Sequence, residues 1–116
     1  MRGTVLAAMI VTGIGTAGAQ TAAPIPAYVT GDDLHAACVS GVASGSSFCQ
    51  GFVLGIADGL QGPSGVYGYR ACIPGRVTIA TVLGVATTFL RDRADLRHHA
   101  AGSLAANAIS HEFPCE

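Results

Sequence analysis

Residues 46–60, Ser46-Ser47-Phe48-Cys49-Gln50-Gly51-Phe52-Val53-Leu54-Gly55-Ile56-Ala57-Asp58-Gly59-Leu60, carry apolar side chains nearly all the way round a helical wheel. A helix apolar on every side belongs inside a bundle rather than on its surface. Phe48, Phe52, Ile56 and Leu60 fall on one stripe, Cys49 and Val53 widen it, and Ser46 can cap the first turn. Gly51, Gly55 and Gly59 stand four apart on one ridge. Each costs about 1 kcal/mol against Ala in an exposed helix, so three in register predict a second helix crossing at close range. In a membrane the same spacing would mark a dimerising helix, but this stretch is short and holds Asp58. Burying that carboxylate without partners would be costly, so Asp58 is expected to accept hydrogen bonds from a helix N-terminus or from the loop that follows.

The same periodicity extends outward in both directions. Upstream, Thr30 is placed to cap a short first helix, with Asp32 and Asp33 in the turn where the helix dipole favours negative charge. Leu34, Cys38 and Val42 follow at intervals of four, and Gly41 to Ser46 forms the turn into the second helix. Downstream, residues 61–77 make a long connection rich in Gly and Pro. Thr78 then caps a third helix, whose Ile79, Val82, Leu83, Ala86, Phe89 and Leu90 keep helical spacing. The run Arg91-Asp92-Arg93 closes that helix. Asp95 is expected to cap a fourth, which would bring His98 and His99 into its first turn and carry Ala101, Leu104, Ala105, Ala108 and Ile109 inward. The pattern predicts an all-α, small four-helix domain over residues 30–116, with no internal repeat and no convincing strand.

Composition supports that class. Half of the 116 residues are apolar and 11% are charged, which argues against disorder. There are 16 Gly and no Trp, so small residues rather than bulky rings must fill the interior. The formal charge is −1, all six basic residues are Arg, and they form no stripe along one face. Nucleic acid is therefore not an expected partner.

The N-terminus points to export. Arg2 is followed by the apolar run Val5 to Val11, and Ala17-Gly18-Ala19 sets small residues at the positions read by signal peptidase. Residues 1–19 are expected to be a signal peptide cut after Ala19, and residues 20–29, with Pro24 and Pro26, an extended leader. The first stretch is too short and too Gly-rich to span a membrane comfortably, so no stable membrane insertion is expected once it is removed. In a bacterium the destination is the periplasm.

Four cysteines in so short an exported chain read as staples. Cys38, Cys49, Cys72 and Cys115 allow three pairings. Hairpin geometry favours Cys38–Cys49 across the first turn and Cys72–Cys115 at the shared end of the second helical pair; Cys49–Cys72 with Cys38–Cys115 is the next choice. In the chain-entropy picture the favoured loops contribute roughly 3 and 4 kcal/mol. No CxxC spacing supports zinc, and His35, His98, His99 and His111 form neither HxxxH nor HExxH, so no metal and no other cofactor is expected. No GxSxG, P-loop or paired Glu is present. Without a catalytic constellation, the chain is read as a binding protein rather than an enzyme.

Several segments, in order, resemble the Rap/Tai family of immunity proteins of bacterial type VI secretion. They are Cys49 to Leu60, Cys72-Ile73-Pro74 with Val77-Thr78, Ala100 to Leu104, and the ending Phe113-Pro114-Cys115. Cys38, after an acidic-Leu stretch, completes the set. The resemblance implies a periplasmic, disulfide-bonded helical protein that binds and blocks an incoming toxin, often a peptidoglycan amidase, and that commonly acts as a homodimer. The shared positions are mainly Gly, Pro, Cys and core residues, which specify a fold more than a target. One departure is Arg93-Ala94-Asp95, where the family often has a Pro.

Within the 61–71 loop, Tyr67, Tyr69 and Arg70 are the residue types enriched where partners bind most tightly. They are the expected partner-binding residues, with the loop occluding a toxin's cleft. The alternative is a periplasmic acid-stress chaperone-like binding protein, since four His and seven carboxylates would titrate on acidification; the low charge content disfavours it. A small hydrolase is disfavoured by the missing acid–base pair.

Overall fold

A computed structural model describes Gly3, residues 28–40 and residues 47–116. The expected signal peptide and its cleavage after Ala19, the leader up to Ala27, Val42, the turn Gly41–Ser46 and the Ser46 cap lie outside the described residues. Among those described, four α-helices and no strand are found: α1 (Gly31–Val39), α2 (Ser47–Leu60), α3 (Ile79–Asp92) and α4 (Ala101–Glu112), with a 3-10 turn at Ala94–Leu96. None of these helices is long and apolar enough to cross a membrane.

Two of the expected caps form. The Thr30 hydroxyl accepts the Asp33 amide at 3.2 Å, while the Asp33 carboxylate accepts the Thr30 amide at 3.0 Å. This reciprocal pair satisfies two otherwise orphaned donors at the start of α1. The bond from the Thr30 backbone, then that from its hydroxyl, holds the Asp33 carboxyl below its ordinary pKa. At α3, the Thr78 hydroxyl accepts the Thr81 amide at 3.2 Å.

The start of α4 differs from the expectation. Asp95 does not cap it; its carboxylate takes two bonds from Arg93 at 3.1 and 3.0 Å within the 3-10 turn. The N-cap position is Ala100, which has no side-chain cap, and the Ala101 amide donates instead to the Val29 carbonyl at 2.9 Å. The end of the leader is therefore structural. Val29 packs against the core, and Thr30 forms an isolated antiparallel bridge with Ala100. The exchange is mutual, because the amides of Gly31 and Asp32 donate to the carbonyls of His99 and Arg97 at 2.9 and 2.8 Å. His98 and His99 consequently precede α4 rather than lying in its first turn, and their ring centroids are 4.0 Å apart.

The enclosed helix is α4, not α2. Ala101, Gly102, Leu104, Ala105, Ala106, Ala108 and Ile109 are all buried, and α4 packs against each of the other three helices. Small side chains let three neighbours approach one axis closely. In α2 the buried face is Cys49, Val53, Ala57 and Leu60. It is rotated by one residue from the expected stripe, leaving Phe48 47% exposed and Phe52 and Ile56 half-buried. Asp58 is exposed, so it meets no burial cost and needs no helix N-terminus to receive it.

Nor do the α2 glycines seat a crossing helix. A Cβ added at Gly51 or Gly55 would meet nothing within 4 Å, and one at Gly59 would press on the Val66 side chain of the next loop at 2.6 Å. Gly31 does sit at a close approach between helix starts: a Cβ there would lie 2.8 Å from the Arg97 Cα and 2.9 Å from its carbonyl oxygen.

The disulfides are Cys38–Cys49 and Cys72–Cys115, each with its Cα atoms 5.0 Å apart. The first ties the end of α1 to the start of α2. The second ties the segment before α3 to the chain after α4, beside a bond from the Cys72 amide to the Phe113 carbonyl at 2.8 Å.

These environments predict opposite signs for the same chemical change. Gly51→Ala and Gly55→Ala should each stabilise the protein by about 1 kcal/mol, because open space leaves only the gain in helix propensity. Gly31→Ala should destabilise it by about 1–3 kcal/mol, because backbone must move to admit the methyl group. Thermal unfolding followed by circular dichroism measures both, and a shift of the same sign at all three positions would contradict the packing described.

Candidate functional site

The connection after α2 is a folded loop tied down along its length. The Gln61 amide donates to Asp58, Gly62 to Gly59 and Gly65 to Gly62, continuing the helix end as turns. Val66 and Tyr69 then exchange both backbone bonds, at 2.9 and 2.8 Å, around Tyr67 and Gly68. At the far end the Ala71 amide donates to the Leu60 carbonyl at 3.0 Å, closing the loop onto the helix it left. Ala71 is buried, and the Cys72–Cys115 disulfide follows at once.

The two central residues of the tip turn have positive φ, 51° at Tyr67 and 80° at Gly68. That geometry suits the two-residue turns in which Asn and Gly are usual, and a tyrosine there carries backbone strain. Gly65 also has positive φ, 63°, and a Cβ there would overlap the Tyr69 carbonyl. What accompanies the strained tyrosine is a contact with α4. A Cβ at Gly102 would lie 2.7 Å from the Tyr67 hydroxyl and 2.8 Å from its Cε2, so the ring rests on the bare backbone of the central helix. Even so, Tyr67 is 62% exposed. The three expected binding residues thus share one loop but not one role. Tyr67 stands at the tip, Arg70 is exposed three residues further along, and Tyr69 is half-buried and packed against the core.

A second polar cluster lies where α1 meets the segment before α4. His35 Nδ1 is 2.6 Å from Arg97 Nη1, and Arg97 Nε is 3.4 Å from the Asp32 carboxylate. Burial, and then the Arg97 charge, lower the His35 pKa, with Asp32 acting in the opposite sense. His35 is therefore held neutral and accepts from the guanidinium. Spacing in the sequence could not have joined positions 35 and 97. The one local signal is Gly31 beside the Thr30 cap, marking a helix start that something approaches closely. Among the described residues no group of three or more His, Cys, Asp or Glu side chains could hold a metal.

The third feature is an open groove of about 700 Å³ between α3 and α4, lined by residues from Thr81 to Arg93 and from Asn107 to Glu112. Nothing in the sequence periodicity marks it, since local spacing does not set how two helices lie against each other.

The two disulfides clamp a helical domain whose loop tip presents an exposed aromatic ring. A sequence model of the Rap1a immunity proteins matches residues 30–115, and the chain belongs to that family. No curated protein and no solved structure matches it.

The His35 environment has a consequence for stability. Its folded pKa lies below the ordinary value of 6.5, so the unfolded chain binds the proton more readily as pH falls. Stability should be level above about pH 6.5 and decline below it. His35→Gln, which keeps an acceptor but does not titrate, should flatten the decline between pH 6.5 and about pH 5, above the carboxylate range. Urea unfolding midpoints at pH 7.5 and 5.5 measure this, and equal slopes for the two proteins would exclude His35 as the cause.

Proposed function

We propose that this chain is an immunity protein that neutralises a toxin by binding it, and that the 61–71 loop enters and blocks the toxin's active-site cleft. Membership of a family of immunity proteins supports the first half. The observation carrying the second is Tyr67, an aromatic residue held at positive φ on a tied-down turn, with its ring on Gly102 and most of its surface in solvent. Packing the core does not require that arrangement. Binding gains from it, because a loop already in its bound shape loses little conformational freedom when a partner closes over it. Arg70 adds an exposed guanidinium on the same loop, and Tyr and Arg are the residue types most often found to dominate binding energy.

The toxin class that best fits the resemblance is a peptidoglycan amidase, and the site of action is then the periplasm, reached after removal of residues 1–19. Inhibition is by occlusion, so the immunity protein needs no catalytic group of its own.

The test is capture of the partner from cells that carry the neighbouring secreted effectors, followed by inhibition of its cleavage of purified peptidoglycan. Tyr67→Ala combined with Arg70→Ala should weaken binding by roughly 30-fold or more, the effect of losing about 2 kcal/mol at a hot spot, while leaving the unfolding midpoint near that of the parent. Capture with unchanged affinity in the double variant would remove the loop from the interface. Failure to protect sensitive cells from any co-encoded effector would remove the immunity function itself.

A further inference from the structure

We propose that the groove between α3 and α4 is a docking site for an extended, cationic segment of a protein partner, separate from the 61–71 loop. Its volume of about 700 Å³ falls within the range of ordinary ligand clefts. Two small residues leave room along it. Gly84 lies in its wall with nothing within 4 Å of where a Cβ would be, and Ala108 faces it from the enclosed helix. Val85 and Phe89, both half-buried, supply an apolar floor. Thr81, Thr88 and Asn107 place hydroxyl and amide groups among the lining, where they can meet the backbone of an extended chain.

Charge selects the occupant. The last residues of both helices, Asp92 and Glu112, line the groove, and helix C-termini add partial negative charge of their own. Two basic residues also line it: Arg93, already committed to Asp95 through two bonds at 3.1 and 3.0 Å, and His111, which precedes Glu112 in the last turn of α4. Asp92 meets Arg91 at 3.0 Å, but both side chains are more than half exposed, so that pair holds weakly. Glu112 has no ion-pair partner among the described residues. An apolar floor with carboxylates at helix ends suits Lys or Arg, whose stem packs on apolar surface while its head reaches the charge. The same field repels nucleic acid. None of the lining belongs to the 61–71 loop, and Tyr67 rests on Gly102, outside the groove. The site therefore stands or falls independently of what that loop binds.

The probes are two capped pentapeptides, Ala-Val-Arg-Val-Ala and Ala-Val-Glu-Val-Ala, titrated into the ¹⁵N-labelled mature protein. The Arg peptide should give saturable shifts of the Gly84, Thr88 and Asn107 amides, and the Glu peptide should bind at least roughly tenfold more weakly. Glu112→Gln, on the surface, should weaken the Arg peptide about threefold, as expected for one exposed ion pair. Gly84→Leu should abolish the shifts by filling the waist of the groove, with an unfolding midpoint no lower than the parent's because Leu favours the helix. The proposal is overturned if neither peptide shifts these amides, if both do so equally, or if Glu112→Gln and Gly84→Leu leave Arg-peptide binding unchanged.

Discussion

Helix α4 begins with no side chain to cap it, and the group that satisfies its first amide comes from the other end of the domain. Val29 supplies its carbonyl to Ala101, while Gly31 and Asp32 return their amides to His99 and Arg97. Backbone groups at helix ends must be paired when covered, and here two helix starts satisfy each other. The joint needs near-contact between two backbones, which is why position 31 has no side chain to spare. Everything about α1 follows from it. One turn further along, Leu34 is fully buried, and a turn after that Cys38 is bonded to Cys49, so the joint and the first disulfide hold α1 at both ends. Arg97, its backbone already engaged, lays its side chain against His35 and Asp32 on the same helix.

With α1 so placed, α4 is surrounded, and its composition becomes intelligible. A helix buried over most of its surface leaves little room for bulk, and Ala101, Gly102, Ala105, Ala106 and Ala108 are all buried in α4. Gly102 has a further use, because the bare backbone there accepts the Tyr67 ring. The loop is thus held from below by the central helix and at its base by the Leu60–Ala71 bond, next to the Cys72–Cys115 disulfide. The position of the tip is set by contacts with the core.

The four helices and two of their caps were legible because both signals are local. Thr30 with Asp33 three residues on, and Thr78 before an amphipathic run, are decided within one turn of chain. Membership of the immunity family was legible from the ordered Gly, Pro and Cys segments. What was not legible depends on partners distant in sequence. An apolar residue every fourth position in α2 allows two adjacent faces, and the bond of Cys49 to Cys38, together with the crowding of α4, selects the one carrying Val53 and Ala57. Asp95 resembles a cap because an acidic residue precedes a helical pattern; the chain instead makes a 3-10 turn at Ala94–Leu96 and α4 starts only at Ala101, so the Asp95 carboxylate is left to Arg93, with two charge-assisted bonds. The glycine ridge misled for the same reason, since spacing records that Gly residues share a face and not whether anything lies against it.

Those glycines and Tyr67 frame the relation between fold and recognition. Gly51 and Gly55 sit in open helical surface where neither packing nor backbone conformation asks for them, so folding alone would favour Ala. Tyr67 is the converse case. Its positive φ costs about 1 kcal/mol or more in a residue with a side chain, and a glycine would form the same turn without strain. The ring recovers part of that through its contact with Gly102, yet most of its surface remains in water. A residue that the backbone disfavours, and that the core only partly employs, is better explained by what it presents outward than by what it holds together. The proposed toxin contact therefore rests on the loop tip rather than on the cluster around His35, where Arg97 joins His35 and Asp32 at the joint between helices.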